Sequence, residues 1–80
     1  MDTVDKVTLD CRYLLCPLPV IRVQDGVSKL TPGTNVEAIC TDPGALNDIP
    51  AWCRINGHTV LKTRSEGGEY FVQLRVGGAT

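Results

Sequence analysis

The chain has few aromatic residues, no excess of charge of either sign and no long hydrophobic run. Aromatic residues make up 5% of its 80 residues, and eight basic residues against nine acidic ones give a net charge of −1. Tight nucleic-acid binding usually shows as a basic excess, so we expect no direct tight nucleic-acid binding. No segment approaches the roughly 20 apolar residues of a transmembrane helix, and the N-terminal segment lacks the apolar core of a signal peptide. We therefore expect a cytoplasmic protein without membrane contact.

The length allows one small domain. Eighty residues leave no room for a linker or a second unit, so residues 1–80 are interpreted as a single domain with its core at about 7–76. The sequence has no glycine-rich phosphate loop and no arrangement of serine, histidine and carboxylate residues typical of a hydrolase. We expect no cofactor.

Four cysteines are present, and their spacing argues against a metal site. Cys11, Cys16, Cys40 and Cys53 are separated by 5, 24 and 13 residues, whereas a zinc site that included His58 would need C-x2-C or similar pairs. We expect reduced thiols, because no secretion signal is present. Cys40 and Cys53 are interpreted as packing residues, and His58 as a residue at the solvent edge. Cys11 is placed in a loop before the first helix, where it could meet Cys16 in a disulfide or a sulfur relay.

The segment CPLP, residues 16–19, places a thiol where a helix begins. Proline at the first helical position loses no hydrogen bond and has the helical φ in advance, so the pattern predicts Cys16 as the N-cap and Pro17 as the first helical residue. Pro19 has no NH group, so the NH of Leu18 is the local donor expected for the sulfur. The alternative is that CPLP merely opens a helix with a small apolar residue.

A helix N-terminus alone does not make a strong acid of a thiol. Its dipole favours an anion by about 0.3–1 kcal/mol, which is less than one pKa unit at about 1.36 kcal/mol per unit. Reactive cysteines also recruit nearby cations. Arg12 and Arg22, which flank the motif, are therefore candidates for lowering the pKa of Cys16.

Hydrophobic periodicity predicts the element order βαβαββ. The expected elements are strands at 7–9, 35–41, 58–60 and 70–76, a helix at 17–30, and a second helical segment between turns at 41–44 and 56–57. Polar residues alternate with apolar ones in the last strands, as in a sheet covered on one face. The prediction is an α+β two-layer sandwich with two helices on one face of a four-stranded mixed sheet.

Three local features refine this prediction. Gly26 inside the first helix costs roughly 1 kcal/mol relative to alanine. Pro50 interrupts the second helix, so we expect Asp48 to cap a fresh start and the helix to be kinked or split there. A hairpin turn is expected at 65–68, and a frayed tail at 77–80.

The combination of Leu9-Asp10, CPLP at 16–19, Asp42-Pro43 and the segment DIPAWC at 48–53 resembles the TusA/SirA family of small sulfur-carrier proteins. The resemblance covers about 7–76. It implies the family's βαβαββ sandwich and an activity in which the CPxP cysteine, here Cys16, carries sulfane sulfur as a persulfide. The family often has glycine where this chain has Tyr13, and the carrier for tRNA thiolation typically has glutamate where Leu18 stands.

A thiolate can accept sulfur from a donor persulfide by the attack that operates in disulfide exchange. The resemblance implies a monomer whose donor is a cysteine desulfurase or a rhodanese, and whose acceptor is a sulfur-relay protein or a thiolation enzyme. The pathway would be tRNA thiolation, sulfur oxidation or a related relay. Two other classes stay open: a thiol redox regulator that uses Cys11 and Cys16, and a non-catalytic regulatory interaction module.

Three leucines lie close to the thiol in sequence. A four-stranded sheet with two helices cannot easily bury Leu14, Leu15 and Leu18 beside an exposed cysteine. We expect at least one of the three, above all Leu18, to be exposed and to form the apolar centre of a docking patch, with Arg12 and Arg22 at its rim.

Overall fold

Four strands form one mixed sheet in the computed structural model, which describes residues 6–77. The strands are β1 (Lys6–Cys11), β2 (Asn35–Cys40), β3 (Thr59–Glu66) and β4 (Glu69–Arg75), and the sheet order is β1-β2-β4-β3. β1 pairs parallel with β2, while β4 pairs antiparallel with both β2 and β3. Helices α1 (Leu18–Val27) and α2 (Ala45–Asn56) pack against each other and against the sheet. The predicted α+β sandwich with the order βαβαββ is confirmed.

The core lies between the helices and the sheet. Burying a valine, leucine or isoleucine side chain contributes about 1.5–3 kcal/mol, so the apolar faces predicted from periodicity drive the packing. The buried apolar residues of the regular elements are Cys11, Val23, Val27, Val36, Ala38, Cys40, Ala45, Ile49, Cys53, Val72 and Leu74. Val36, Ala38, Cys40, Val72 and Leu74 were predicted from the alternation in these strands, whereas Tyr70, predicted with them, is only partly buried.

The first helix is shorter than the predicted 17–30. Pro17 is the N-cap with φ −98°, so it precedes the helix and is not its first residue. At the other end, the NH of Lys29 donates to the carbonyl of Gly26, and the NH of Leu30 to that of Val27. Bonds between residues three apart are typical of a tightened last turn, and they end the α-helix before Thr31-Pro32-Gly33.

The second helix is continuous, so the predicted split at Asp48 is wrong. α2 runs through Pro50, and its N-cap is Gly44. Proline removes only one hydrogen bond of the helix, and buried side chains on both sides of it fix the helix to the sheet. The NH of Asp48 donates to the carbonyl of Gly44 at 2.9 Å within the first turn. Asp48 is therefore an ordinary first-turn residue whose carboxylate does not cap a new helix.

The burial of His58 differs from the expectation. This residue precedes β3 and is half-buried rather than at the solvent edge, because its ring stacks on Trp52 with 4.9 Å between centroids. The NH of Gly77 donates to its Nδ1 at 2.9 Å. The predicted hairpin turn at 65–68 is confirmed, with positive φ at Gly67 and Gly68. The tail predicted at 77–80 lies, apart from Gly77, outside the described residues.

Gly26 lies directly against β1, which gives a test of the packing. A Cβ atom at this position would be 2.8 Å from both Cδ atoms of Leu9. Helix propensity alone would make Gly26→Ala stabilising by about 1 kcal/mol. We expect a smaller gain or a loss, because the Leu9 side chain must move.

The same substitution should be more favourable by about 1 kcal/mol when Leu9→Ala has removed the obstacle. Urea unfolding of the wild type, the two single variants and the double variant measures this coupling. A coupling energy near zero would show that Leu9 does not restrict the residue at position 26.

Candidate functional site

The candidate site lies at the end of the sheet where the carboxyl ends of β1 and β2 meet. The two strands are parallel, and Cys11 stands opposite Cys40. Residues 12–17 follow β1, residues 41–44 follow β2, and the two loops bind each other. The NH of Tyr13 donates to Thr41 Oγ1 at 2.8 Å, and the NH of Cys16 donates to Asp42 Oδ2 at 3.0 Å. These bonds fix the position of Cys16 in front of α1.

The sulfur of Cys16 is exposed, and its hydrogen-bond partner is a carboxylate. Sγ donates to Asp48 Oδ2 at 3.1 Å. The NH of Leu18, predicted as the donor to this sulfur, instead donates to the carbonyl of Leu15 at 2.8 Å. That prediction is wrong because Pro17, rather than Cys16, is the N-cap, so the turn before the helix closes on Leu15.

The surroundings of Cys16 disfavour its thiolate. The hydrogen bond to Asp48 raises the pKa of the Cys16 thiol, and partial loss of hydration and the negative charges of Asp48 and Asp42 act in the same direction. The thiolate is the nucleophilic form of cysteine, and an ordinary thiol has a pKa near 8.5. Cys16 in the free protein is therefore a neutral thiol at pH 7.

Neither arginine named from the sequence lowers the pKa of Cys16. Arg12 binds Asp10 through Nε at 2.9 Å and Nη2 at 3.2 Å, and its Nη1 is 3.5 Å from Glu69 Oε2. Arg22 donates through Nη1 to the carbonyl of Asp10 at 3.1 Å. The bonds from Arg12 lower the pKa of Asp10 to about 2. The expectation for Arg12 and Arg22 is wrong because Arg12 pairs with the Asp10 carboxylate and Arg22 donates to the Asp10 backbone carbonyl, so neither arginine is directed at the sulfur.

Cys11 is part of β1 and not of the following loop. It is fully buried, and its Sγ makes a long contact of 3.9 Å with the carbonyl of Pro19. The loop prediction is wrong because the pairing of β1 with β2 continues as far as Cys11 and Cys40.

Burial raises the pKa of Cys53 to about 11. Cys40 and Cys53 are fully buried, which confirms their interpretation as packing residues.

Four exposed apolar residues lie close to Cys16 along the chain, and together they are here called the apolar rim. It consists of Tyr13 (86% exposed), Leu15 (72%), Leu18 (48%) and Ile21 (45%). The predicted exposure of Leu18 is confirmed, and Leu14 packs against the core. Sequence reasoning named Leu15 as a candidate but favoured Leu18, although Leu15 is the more exposed of the two, because a run of leucines does not reveal which of them turn inward.

Tyr13 has a backbone conformation that is unusual for its residue type. Its φ is 65°, in the left-handed region that glycine adopts without penalty. This is the position at which the family resembled by the sequence often has glycine. The Tyr13 NH is nevertheless held by Thr41, so the loop keeps this conformation with a side chain present.

Asp42 and Asp48 both bind Cys16, a contact that the sequence analysis did not predict, because it interpreted the two residues as part of the start of a helix. Asp42 does serve the start of α2, because its Oδ1 accepts the NH of Gly44 at 3.1 Å. Its second oxygen binds the NH of Cys16. The sheet topology could have predicted this contact. Parallel strands end at the same end of a sheet, so the polar turn after β2 must lie beside the loop after β1.

Other features of the described residues do not add to this site. Within residues 6–77 no group of three or more histidine, cysteine or acidic residues is placed to hold a metal ion. A groove of about 340 Å³ that includes Trp52 and His58 lies at the C-terminal end of α1, whereas Cys16 precedes its N-terminal end. In the same part of the chain, no helix combines the length and apolarity needed to cross a membrane.

Comparison with known proteins agrees with this arrangement. A family model described as sulfurtransferase TusA matches residues 7–76. The putative sulfur carrier protein YrkI of Bacillus subtilis is 41% identical over 63 residues, which are 79% of this chain and 83% of that protein. The sulfur carrier protein TusA of Pseudomonas aeruginosa is 37% identical over 73 residues, 91% of each chain.

A solved structure shares the fold. The crystal structure of a SirA-like protein from Desulfitobacterium hafniense has a TM-score of 0.69 at 20% identity and covers 89% of this chain and 97% of that one. The extent of the family match and the identity to both curated relatives lead to one conclusion: the chain belongs to the TusA family of sulfur carriers.

Proposed function

We propose that Cys16 carries sulfane sulfur as a persulfide between a donor protein and an acceptor protein. The observation that supports this most is the contrast among the four cysteines: Cys16 is exposed, while the other three are fully buried. Cys16 is also the cysteine of the CPxP motif. A carried sulfur must be reached by two partners in turn, which requires exposure rather than a closed pocket.

The transfer step conserves atoms and electrons. The Cys16 sulfur attacks the terminal sulfur of a donor persulfide R–S–SH, and the S–S bond of the donor breaks as a new S–S bond forms at Sγ. The electron pair of the broken bond remains on the donor sulfur, which takes the proton that leaves Cys16. The products are the Cys16 persulfide and the donor thiol, with no net oxidation. Delivery to the acceptor repeats the same exchange.

The redox alternative has less support in the geometry. Cys11 is buried in β1 with its sulfur toward the carbonyl of Pro19, whereas the Cys16 sulfur binds Asp48. The two sulfurs therefore face different partners, and all four cysteines are free thiols.

The proposed partners are those of a sulfur relay. The donor is a cysteine desulfurase or a rhodanese, and the acceptor is a sulfur-relay protein or a thiolation enzyme, in tRNA thiolation, sulfur oxidation or a related pathway. Both would dock on the apolar rim, since exposed apolar patches beside a reactive group mark interaction sites. Arg12 and Arg22 would lie at the edge of this contact, where charges mainly change association rates.

Mass analysis tests the carrier residue. Incubated with a sulfane donor, the protein should gain one sulfur atom, about 32 Da, or multiples of it on Cys16. Cys16→Ser should gain none there, and Cys11→Ser should keep most of the loading because Cys11 is buried. A full mass shift in Cys16→Ser would move the carrier site to another cysteine. Complete loss of loading in folded Cys11→Ser would make Cys11 a relay thiol.

A substitution in the apolar rim tests docking. Leu18→Glu should leave the melting temperature and loading by a small sulfane donor unchanged, because Leu18 is half exposed. The rate of transfer from a persulfidated desulfurase or rhodanese should change by about fivefold or more, since a charge replaces an apolar side chain at the contact. The matched control is Ile55→Glu, at an exposed apolar residue near the end of α2.

Two results would count against this docking surface. A large fall in the melting temperature of Leu18→Glu would show that Leu18 belongs to the core. Unchanged transfer from every donor tested, in a variant that folds normally, would remove Leu18 from the contact.

A further inference from the structure

The bond between Cys16 and Asp48 works against what an attacking sulfur requires. The thiolate attacks, and the thiol does not. A carboxylate accepts the S–H hydrogen bond but can donate nothing to the thiolate, and its charge repels a second anion. The sulfur of this carrier is therefore placed beside the type of group that keeps it protonated.

We propose that the Asp48 carboxylate, through its hydrogen bond to Sγ, holds Cys16 as a latent neutral thiol in the unloaded carrier. This inference deepens the proposed function and, in what it says of sulfur transfer, rests on it. Its geometric basis is the distance of 3.1 Å between Sγ and Asp48 Oδ2, together with the bond from the Cys16 NH to Asp42 that keeps the residue in place.

The other charged groups around the site do not oppose Asp48. From the loop after β2, Asp42 adds a second negative charge, and it acts on Cys16 in the same direction. From the loop after β1, Arg12 pairs with the carboxylate of Asp10, and from α1, Arg22 donates to the backbone carbonyl of Asp10. Within residues 6–77 no lysine or arginine forms an ion pair with Asp42 or Asp48. No ion pair therefore offsets the two carboxylates beside the thiol in the described part of the chain.

Loading of Cys16 with sulfur removes the hydrogen bond between Sγ and Asp48. When Sγ carries the extra sulfur it has no hydrogen left to donate, and the terminal sulfur lies about 2.05 Å beyond it. The hydrogen bond from Sγ to Asp48 therefore belongs to the unloaded thiol alone. It slows reaction of the free carrier with stray electrophiles, and its loss on loading disfavours loading by the same free energy by which it favours delivery.

The pH dependence of alkylation tests the proposal directly. The rate at which iodoacetamide modifies Cys16 should be measured between pH 6 and about pH 10 by intact mass, in the full-length wild type and in Asp48→Asn. We expect the midpoint of the profile to fall in the variant. The rate at pH 7 should rise by about twofold to fourfold, because the larger thiolate fraction is partly offset by the lower nucleophilicity of a less basic thiolate, and the limiting rate at high pH should fall slightly.

Matched variants separate a local effect from a general one. Asp25→Asn removes one negative charge from the exposed face of α1 and should follow the wild-type profile. Asp48→Ala should move the midpoint in the same direction as Asp48→Asn and provides a second folded variant, with folding checked by circular dichroism. Cys16→Ser confirms that the alkylated residue is Cys16. The proposal is overturned if Asp48→Asn matches Asp25→Asn, or if its rate at pH 7 falls, which would make Asp48 a proton acceptor for the sulfur.

The failure of this inference differs from the failure of the proposed function. Sulfur loading of Cys16 with unchanged alkylation profiles would leave the carrier function standing and remove the role of Asp48. A shifted alkylation profile in a protein that takes no sulfur on Cys16 would confirm the control of the thiol and contradict the carrier function.

Discussion

Parallel strands end at the same edge of a sheet, and in this protein β1 and β2 both lead into a helix there. The pairing extends to Cys11 and Cys40, so the two following loops leave the sheet side by side. The loop after β2 accepts hydrogen bonds from two backbone NH groups of the loop after β1, at Tyr13 and at Cys16. Because the loop after β2 is short, the first turn of α2 lies beside the thiol, and Asp48 reaches the sulfur.

Two opposite electrostatic effects meet at this sulfur. The N-terminus of α1 favours an anion, and its first turn contains no acidic residue that would cancel this effect. The carboxylate of Asp48 disfavours an anion, and it acts through a direct hydrogen bond. The pKa of the Cys16 thiol is raised, and the hydrogen bond to Asp48 is the largest cause. A helix start is therefore insufficient, taken alone, to infer a reactive thiolate.

The sequence predicted those parts of the fold that follow from local periodicity. Alternation placed Val36 and Ala38, and later Val72 and Leu74, correctly in the core. The rule that proline ends a helix failed at Pro50, because packing on both sides of it outweighs one lost hydrogen bond. Cys16 could be identified from its motif, whereas Asp48 could not be assigned to it. That contact depends on how two loops meet, which no local pattern contains.

The left-handed backbone of Tyr13 has a consequence for recognition. A residue with a side chain loses roughly 1–2 kcal/mol in this conformation, which glycine would avoid. The ring is 86% exposed and recovers little of that energy by burial in the free protein. Yet the backbone that carries it is already immobilised by the bond to Thr41. A partner that covers this ring meets an aromatic group with only two rotatable side-chain bonds on a fixed support, so little conformational entropy remains to be lost when the complex forms.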